Sequence, residues 1–252
     1  MKDKLKYIFT SLLYKALLLL ANKILPNFNC ILILIPHPDD EILGLGGVIL
    51  QTLQQGGKVH LVYLTDGEGS GVWPDKEEIK RQRIALSEQV CNKLGIQSEM
   101  INRFHLPDAA VPYTGQSGFD QVVMEITKLI ETIKPHAVFA THKLDYWPYD
   151  HVACAEIALE AVKHSKHQTQ LWYYWVWAWY NLRILQIFKL NYQKIVKVEI
   201  RNHIFLKKEL TELYLKALTP DGKPWSGVLP NSLKKSLIQP FEIIEKCEHL
   251  VL

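Results

Sequence analysis

Short continuous hydrophobic runs alternate with longer amphipathic stretches along the first two-thirds of the chain. Residues 30–35 form an unbroken apolar run that ends at Pro36, which is typical of a strand buried on both faces of a parallel sheet. Similar runs predict strands at 58–65, 100–106 and 136–141. In the intervening segments apolar residues recur at helical spacing and predict four helices, at 42–55, 76–94, 119–133 and 152–164.

Strands and helices that alternate at this spacing indicate βαβ units. We therefore predict a Rossmann-like α/β fold, in which a mainly parallel sheet carries helices on both faces. Ligands in such folds bind at the carboxyl ends of the strands. Because a polar residue follows each of the four predicted strands, we place the active site at this edge of the sheet. The polar residues that follow the four predicted strands are His37, Asp66, Asp108 and His142.

The last third of the chain has a less regular pattern. Alternating aromatic residues predict a strand within 171–180, and further patterns predict a strand at 196–200 and a helix at 203–218. We interpret the aromatic residues as packing in the core or at the sheet edge, in preference to a platform for stacking sugars. The tryptophans concerned are Trp172, Trp175, Trp177 and Trp179.

The N-terminal segment, residues 1–26, has a pattern of its own. Its leucine-rich stretch is too short and too interrupted to predict a membrane span. We predict an amphipathic helix that lies on a membrane surface or on the protein's own body, followed by a single domain over residues 27–252. A signal peptide is a weaker alternative because no Ala-x-Ala cleavage site follows. The polar residues that share one helical face are Lys4, Ser11, Lys15 and Asn22.

Composition and charge narrow the classes of function. The 252 residues are 48% hydrophobic and 22% charged, as in ordinary globular proteins. The net charge of +3 and the scattered basic residues argue against a nucleic-acid partner. The four cysteines form no CxxC pair, so we interpret them as small hydrophobic residues in a reducing compartment. We predict a cytoplasmic protein, with the N-terminal helix as the candidate for peripheral membrane contact. No feature of the sequence indicates an oligomeric state.

The segment His37-Pro38-Asp39-Asp40 carries the clearest chemistry. Hydrolytic zinc sites use three His, Asp or Glu ligands and leave one position for water. His37 and Asp40 are three residues apart at the start of a predicted helix, so both can reach one metal. Asp39 lies between them and is free to act as the general base. Two adjacent carboxylates also favour a cation. His151, which follows the fourth strand, is the best candidate for the third ligand.

Two alternative interpretations of this segment are weaker. Asp39 and Asp40 could merely cap a helix, but the preceding strand and His37 favour a metal site. The glycines at 44, 46 and 47 are similar to a dinucleotide-binding loop, yet Ile49 occupies the position of its last glycine. We interpret these glycines as allowing the helix to pack closely on the sheet.

Several motifs occur together within residues 31–164. They are Pro36-His37-Pro38-Asp39-Asp40-Glu41, Gly44-x-Gly46-Gly47, Thr65-Asp66-Gly67-Glu68, Leu94-Gly95-Ile96, Leu106-Pro107-Asp108, and Thr141-His142 leading to Asp150-His151. In their nature and order these motifs resemble the PIG-L/LmbE family of zinc-dependent N-acetyl-sugar deacetylases, and the tail at 215–245 resembles the family loosely.

The resemblance implies a zinc ion, or another divalent metal, held by His37, Asp40 and His151. It implies Asp39 as the general base. It also implies that Asp108 contacts sugar hydroxyls, although a role in capping its loop fits almost equally well. The candidate substrate-contacting residues are Asp108, His142 and Trp147.

The sequence departs from the family at the third ligand. The family usually has His-Pro-Asp-His there, and its first histidine is thought to stabilise the oxyanion or protonate the leaving amine. This chain has Pro148-Tyr149-Asp150-His151 instead. Three replacements are open: the Tyr149 hydroxyl donates to the oxyanion, His142 reaches the site, or Asp39 alone returns the proton. We take Tyr149 as the candidate catalytic residue.

These expectations combine into one predicted function, with two alternatives. We predict a hydrolase that removes an N-acetyl group from an amino-sugar-containing substrate, which is a glycoconjugate, a sugar nucleotide or a lipid-linked sugar. One alternative is a hydrolase of another amide. The other is a sugar-binding module without activity, which the missing histidine would explain.

Overall fold

One sheet of eight strands runs through the part of the chain that the computed structural model describes, residues 2–23, 27–182, 184–187 and 190–247. The strand order is β1-β7-β8-β6-β5-β2-β3-β4. Every neighbouring pair is parallel except the two that involve β8. The strands are β1 (Asn22–Lys23), β2 (Cys30–Ile35), β3 (Lys58–Thr65), β4 (Ile101–Leu106), β5 (Ala137–Thr141), β6 (Gln170–Tyr174), β7 (Ile195–Glu199) and β8 (Phe241–Lys246).

Helices cover both faces of the sheet. Alternate residues of β2 pack into two different clusters: Ile31 and Ile33 join one and Leu32 and Leu34 the other. Both sides of this strand are therefore buried, as its unbroken apolar run predicts, and the prediction of a Rossmann-like, mainly parallel α/β fold is confirmed. The helices are α1 (Lys2–Leu20), α2 (Asp40–Gln54), α3 (Lys76–Leu94), α4 (Phe119–Ile133), α5 (Tyr149–His164), α6 (Ala178–Asn181), α7 (Ile184–Ile187), α8 (Ile204–Lys216) and α9 (Asn231–Leu237).

The glycines of α2 allow close packing, as the sequence predicts. A β-carbon at Gly44 would overlap the ring of Tyr174 on β6, and one at Gly47 would overlap Ile200. Beside them, a buried ion pair joins α8 to β8: Lys207 Nζ is 2.7 Å from Glu242 Oε1. The glycines therefore hold α2 against the sheet, and with it the turn that precedes the helix.

The last third departs from prediction in two places. The predicted strand at 171–180 ends at Tyr174, and 178–181 form the short helix α6. Strand β8 was not predicted, because its sequence places Glu242 and Glu245 at buried positions where a strand pattern expects apolar residues. Both carboxylates are paired with partners far away in the sequence, Lys207 and His142. Buried charge that is paired in this way leaves no hydrophobic signal.

The N-terminal helix packs on the body of the protein. Leu13 and Leu17 of α1 are buried in the core cluster, and β1 extends the sheet beside β7. No helix in the described ranges combines the length and the hydrophobicity that crossing a membrane requires. The predicted boundary at residues 26 and 27 involves residues 24–26, which lie outside the described part of the chain.

Candidate metal centre and its cavity

The turn between β2 and α2 holds Asp39 in an unusual backbone conformation. Its φ is 125° and its ψ is −29°, a region that residues with a β-carbon rarely occupy. Two contacts support the turn. The Asp39 N–H donates to Glu41 Oε2 at 3.0 Å, and Arg83 Nη2 donates to the Pro38 carbonyl at 2.7 Å. In this turn the Asp39 carboxylate faces Arg83, whereas the Asp40 carboxylate faces His37 and His151.

Glu41 supports this turn and belongs to neither group of candidate metal ligands found among the described residues. Its carboxylate is fully buried and also accepts a hydrogen bond from the Tyr214 hydroxyl at 2.6 Å. Burial raises the pKa of Glu41 to about 7. The acidic residue at the end of the sequence motif therefore connects the turn to α8.

His37, Asp40 and His151 lie together as the sequence predicts. Asp40 Oδ2 is 3.4 Å from His37 Nδ1 and 3.2 Å from His151 Nε2. The candidate ligand atoms of these three buried residues all lie within 4.8 Å of one another. Two imidazoles and one carboxylate are a typical ligand set for zinc.

Both histidines turn their second nitrogen to another carboxylate. His151 Nδ1 is 3.0 Å from Asp145 Oδ2, and His37 Nε2 is 3.1 Å from Asp150 Oδ2. Carboxylates in these positions fix the ring orientation of metal-binding histidines and leave the other nitrogen unprotonated for the metal. The pattern therefore directs His37 Nδ1 and His151 Nε2 towards Asp40.

The cluster fits a divalent cation. His151 Nε2 is buried and makes no hydrogen bond of acceptable geometry within the described part of the chain, although it faces Asp40. Burial lowers the pKa of His151, but Asp40 and Asp145 outweigh this effect and raise it to about 9. The surroundings therefore favour positive charge at this point, and a metal would supply both that charge and a partner for the nitrogen.

A second group of potential ligands shares His37 with the first. Its members are His37, Asp108 and Asp150. The Asp150 oxygens already accept backbone N–H bonds from Ala109 and Val111, at 2.7 and 3.1 Å. Asp108 Oδ2 accepts one from Gly69 at 2.8 Å. The group containing His151 is buried throughout, and His151 Nε2 has no hydrogen-bond partner among the described residues, so this group is the better candidate for the metal.

Asp39 faces Arg83 beside the cluster. Arg83 Nη2 is 3.4 Å from Asp39 Oδ2, and both side chains are buried. Burial raises the pKa of Asp39 well above its usual range, and the charge of Arg83 opposes that rise. A buried carboxylate with a raised pKa is a stronger proton acceptor than an exposed one.

A cavity of about 320 Å³ opens above these residues. His37, Asp39 and Asp40 form part of its lining, together with Arg83 and Asp108. Aromatic residues and a C-terminal loop line the rest of it. These further residues include Trp147, Tyr149, Trp177, Val228 and Leu229.

The structure brings most of the predicted site residues to this cavity. His151 contacts Asp40 but does not itself line the cavity, and His142 lies apart from it. Trp147 and Tyr149 line it and are 53% and 74% exposed. His142 is fully buried: its Nδ1 accepts the Leu144 N–H at 3.0 Å, and its Nε2 is 2.8 Å from Glu245. With both nitrogens bonded inside the fold, His142 contributes to the packing between β5 and β8.

Sequence reasoning missed two residues of the site. Arg83 belongs to α3, and its only sequence signal is a basic residue at a buried helical position. Asp145 lies in the loop between β5 and α5, is fully buried, and also accepts the Trp177 N–H at 3.0 Å. An acidic residue six positions before His151 gives no recognisable motif.

Comparisons with known proteins are consistent with this site. The family model described as "PIG-L: GlcNAc-PI de-N-acetylase" matches residues 32–162. The diacetylchitobiose deacetylase of Thermococcus kodakarensis is 31% identical over 144 residues, which are 52% of this chain and 48% of that protein. The aligned segment therefore spans about half the length of this relative.

Solved structures share the fold. The N,N'-diacetylchitobiose deacetylase from Pyrococcus horikoshii has a TM-score of 0.64 and 20% identity, covering 87% of this chain and 84% of that one. The 4-carboxy-2-hydroxymuconate hydratase GalB from Pseudomonas putida has a TM-score of 0.59 and 16% identity, covering 89% and 98%. Because a deacetylase and a hydratase share this architecture, the fold alone does not define the reaction.

Proposed function

The chain belongs to the PIG-L family, and from this premise we propose that it is a metal-dependent hydrolase that removes the N-acetyl group of amino-sugar substrates. The observation that carries the proposal is the buried cluster of His37, Asp40 and His151. Two of its members, His37 and Asp40, line a cavity together with Asp39. Its similarity to a diacetylchitobiose deacetylase supports an amino sugar as the substrate.

The metal of this proposal is zinc, with other divalent ions as alternatives. His37, Asp40 and His151 would hold it, because two imidazoles and a carboxylate suit zinc. When bound, the ion supplies a Lewis acid that polarises the amide carbonyl and lowers the pKa of water. Asp145 and Asp150 would keep the two imidazoles in the orientation that ligation needs.

Asp39 is the general base of the proposed reaction. Its carboxylate lines the cavity next to Asp40 and is not needed as a ligand, whereas the Glu41 carboxylate is fully buried and supports the turn. One oxygen accepts the proton of the attacking water, and the same carboxyl group can return that proton to the leaving amine. The positive charge of Arg83, 3.4 Å away, favours the ionised form of this carboxylate and opposes the effect of its burial on the pKa.

Asp108 and Trp147 are the proposed contacts for the sugar. Asp108 lines the cavity within 3.2 Å of His37, while its other oxygen holds the Gly69 backbone. It therefore fixes its loop and presents a carboxylate to the cavity, and sugar hydroxyls are suitable donors to it. Trp147 packs edge-on against Trp177, with ring centroids 4.8 Å apart, and this exposed aromatic rim suits the apolar face of a sugar.

We expect Tyr149→Phe to lower kcat for an N-acetyl sugar by about 10- to 100-fold while KM changes little, since the phenol would donate to the oxyanion only in the transition state. Steady-state acetate release measures both constants. Tyr146→Phe is the matched control, because Tyr146 belongs to the same segment, is 40% exposed and does not line the cavity. If kcat of Tyr149→Phe is unchanged, the phenol does not take part in catalysis, and Asp39 alone would return the proton to the leaving amine.

The proposed function is tested by acetate release from a panel of amides in the presence of zinc. The panel contains N-acetylglucosamine, its glycosides, diacetylchitobiose, an N-acetylated amino acid and an acetylated alkylamine. We expect cleavage of one or more of the amino sugars and none of the other amides. Cleavage of the other amides alone would support a hydrolase of a different class. Binding of the sugars without acetate release would support a sugar-binding module that has lost activity.

A further inference from the structure

Helix α1 has two apolar faces, of which the described residues of the chain cover only one. Leu13 and Leu17 are buried against the body of the protein, at 5% and 0% exposure. The opposite face is uncovered in the structure. Its large apolar residues are Leu5, Ile8, Leu12 and Leu19, which are 61%, 48%, 61% and 86% exposed.

The uncovered residues form one continuous stripe. Their spacing of three, four and seven residues places them on a single side of the helix. The helix has 19 residues, so the stripe runs along an element roughly 28 Å in length. Isolated exposed leucines are common on protein surfaces, but a stripe of this length indicates a surface that binds an apolar partner or a lipid bilayer.

Positive charge borders the stripe. The first 38 residues contain five lysines and one acidic residue, Asp3. Lys15 is exposed on the same helix, and α9, which packs beside α1, contributes Lys234 and Lys235. Lys235 Nζ lies 4.9 Å from the ring centroid of Tyr7. An apolar stripe with a basic border is complementary to a lipid surface that carries negative charge.

We propose that the outer face of α1 binds to the surface of an anionic lipid bilayer, with the helix lying in the plane of the membrane. A second copy of the chain fits this face less well, because a symmetric contact would bring the same lysines of both copies together. The helix therefore combines both of its predicted roles: one side packs on the protein and the other enters the interface of the bilayer.

The amino-terminal end of α1 lies close to one wall of the cavity. At the amino-terminal end of α1, Lys6 Nζ donates to the Tyr180 carbonyl at 2.6 Å. The ring of Tyr180 is 6.3 Å from that of Trp177, which lines the cavity. If the proposed deacetylase activity holds, the cavity of the docked protein binds the amino sugar of its substrate at the membrane surface. The docking itself does not depend on that activity.

The test is flotation of the purified full chain with vesicles of phosphatidylcholine alone or with added phosphatidylglycerol. We expect the wild-type chain to float with the anionic vesicles only, and Leu12→Glu/Leu19→Glu to lower its partition coefficient by about tenfold or more. Phe205→Glu is the matched control, because Phe205 is a large apolar residue of α8 with 85% exposure. The control should bind vesicles as the wild type does.

Three results would overturn the docking proposal. These are a wild-type chain that stays with the soluble fraction, an equal loss of binding in Phe205→Glu, and light scattering that shows a dimer which the double substitution dissociates. Acetate release from a water-soluble amide, measured on the same variants, separates the two proposals. Inactive protein that still floats contradicts only the function, and active protein that does not float contradicts only the docking.

Discussion

Replacement of Asp39 by asparagine is expected to lower kcat for an N-acetyl sugar by about 10²- to 10⁴-fold while the protein retains its metal. The substitution removes the carboxylate that accepts the proton of water, and general bases contribute rate enhancements of this order. The side chain keeps its shape, and asparagine tolerates a positive φ better than most residues, so the turn at φ 125° is preserved. Acetate release gives kcat, and elemental analysis gives the metal content.

A matched control for this experiment is Asp66→Asn. Asp66 follows the neighbouring strand β3 and is equally buried, but its carboxylate bonds Lys80 and His105, at 3.2 and 2.7 Å, and does not line the cavity. It should retain most of the activity. An Asp39→Asn variant as active as this control would show that the base lies elsewhere. Loss of both metal and activity would show instead that Asp39 is needed to build the site.

The first half of the fold and the proximity of the candidate metal ligands could be predicted because their signals are local. The run at 30–35 identifies a strand by itself, and His37 and Asp40 lie within one turn of each other. Parallel strands then bring their carboxyl ends to one edge, so the position of His151 at the same site followed from topology alone.

The remaining parts depend on contacts between residues far apart in the sequence. Glu245 is buried because His142, 103 residues away, pairs with it, and no local pattern reveals this. The same is true of Asp145 and Arg83, because the role of each becomes evident only from the residue that it contacts in the folded chain. Sequence placed His142 at the correct edge of the sheet, but not the inward orientation of its ring.

The N-terminal helix shows a third reason why the sequence alone does not predict the structure. Its sequence has a polar line with Lys15 on an otherwise apolar surface, which leaves open whether that surface meets the protein or a membrane. The structure divides the apolar positions into a covered side and an uncovered one, at Leu17 and Leu19 for example. Hydrophobic periodicity alone does not show how much of an apolar surface the rest of the chain covers.

Loss of the metal is the second large effect that we expect. The wild-type chain should bind one divalent ion, and His151→Ala should reduce metal content to background and abolish acetate release. His151 is fully buried with its Nε2 3.2 Å from Asp40 Oδ2, so the substitution removes one of the three candidate ligands of this group. Because the ion binds the folded chain and not the unfolded one, added zinc should raise the melting temperature of the wild type but not of the variant.

Asp145→Asn should weaken metal binding without abolishing it. The asparagine keeps an acceptor for His151 Nδ1 and loses the negative charge, and changes of this kind weaken metal binding by about 10- to 100-fold. Excess zinc should then restore acetate release to Asp145→Asn but not to His151→Ala. His105→Asn is the control, since His105 is half-exposed and lies outside the cluster. Equal zinc affinity in wild type and His151→Ala would assign the metal to the group of His37, Asp108 and Asp150, because that group does not contain His151.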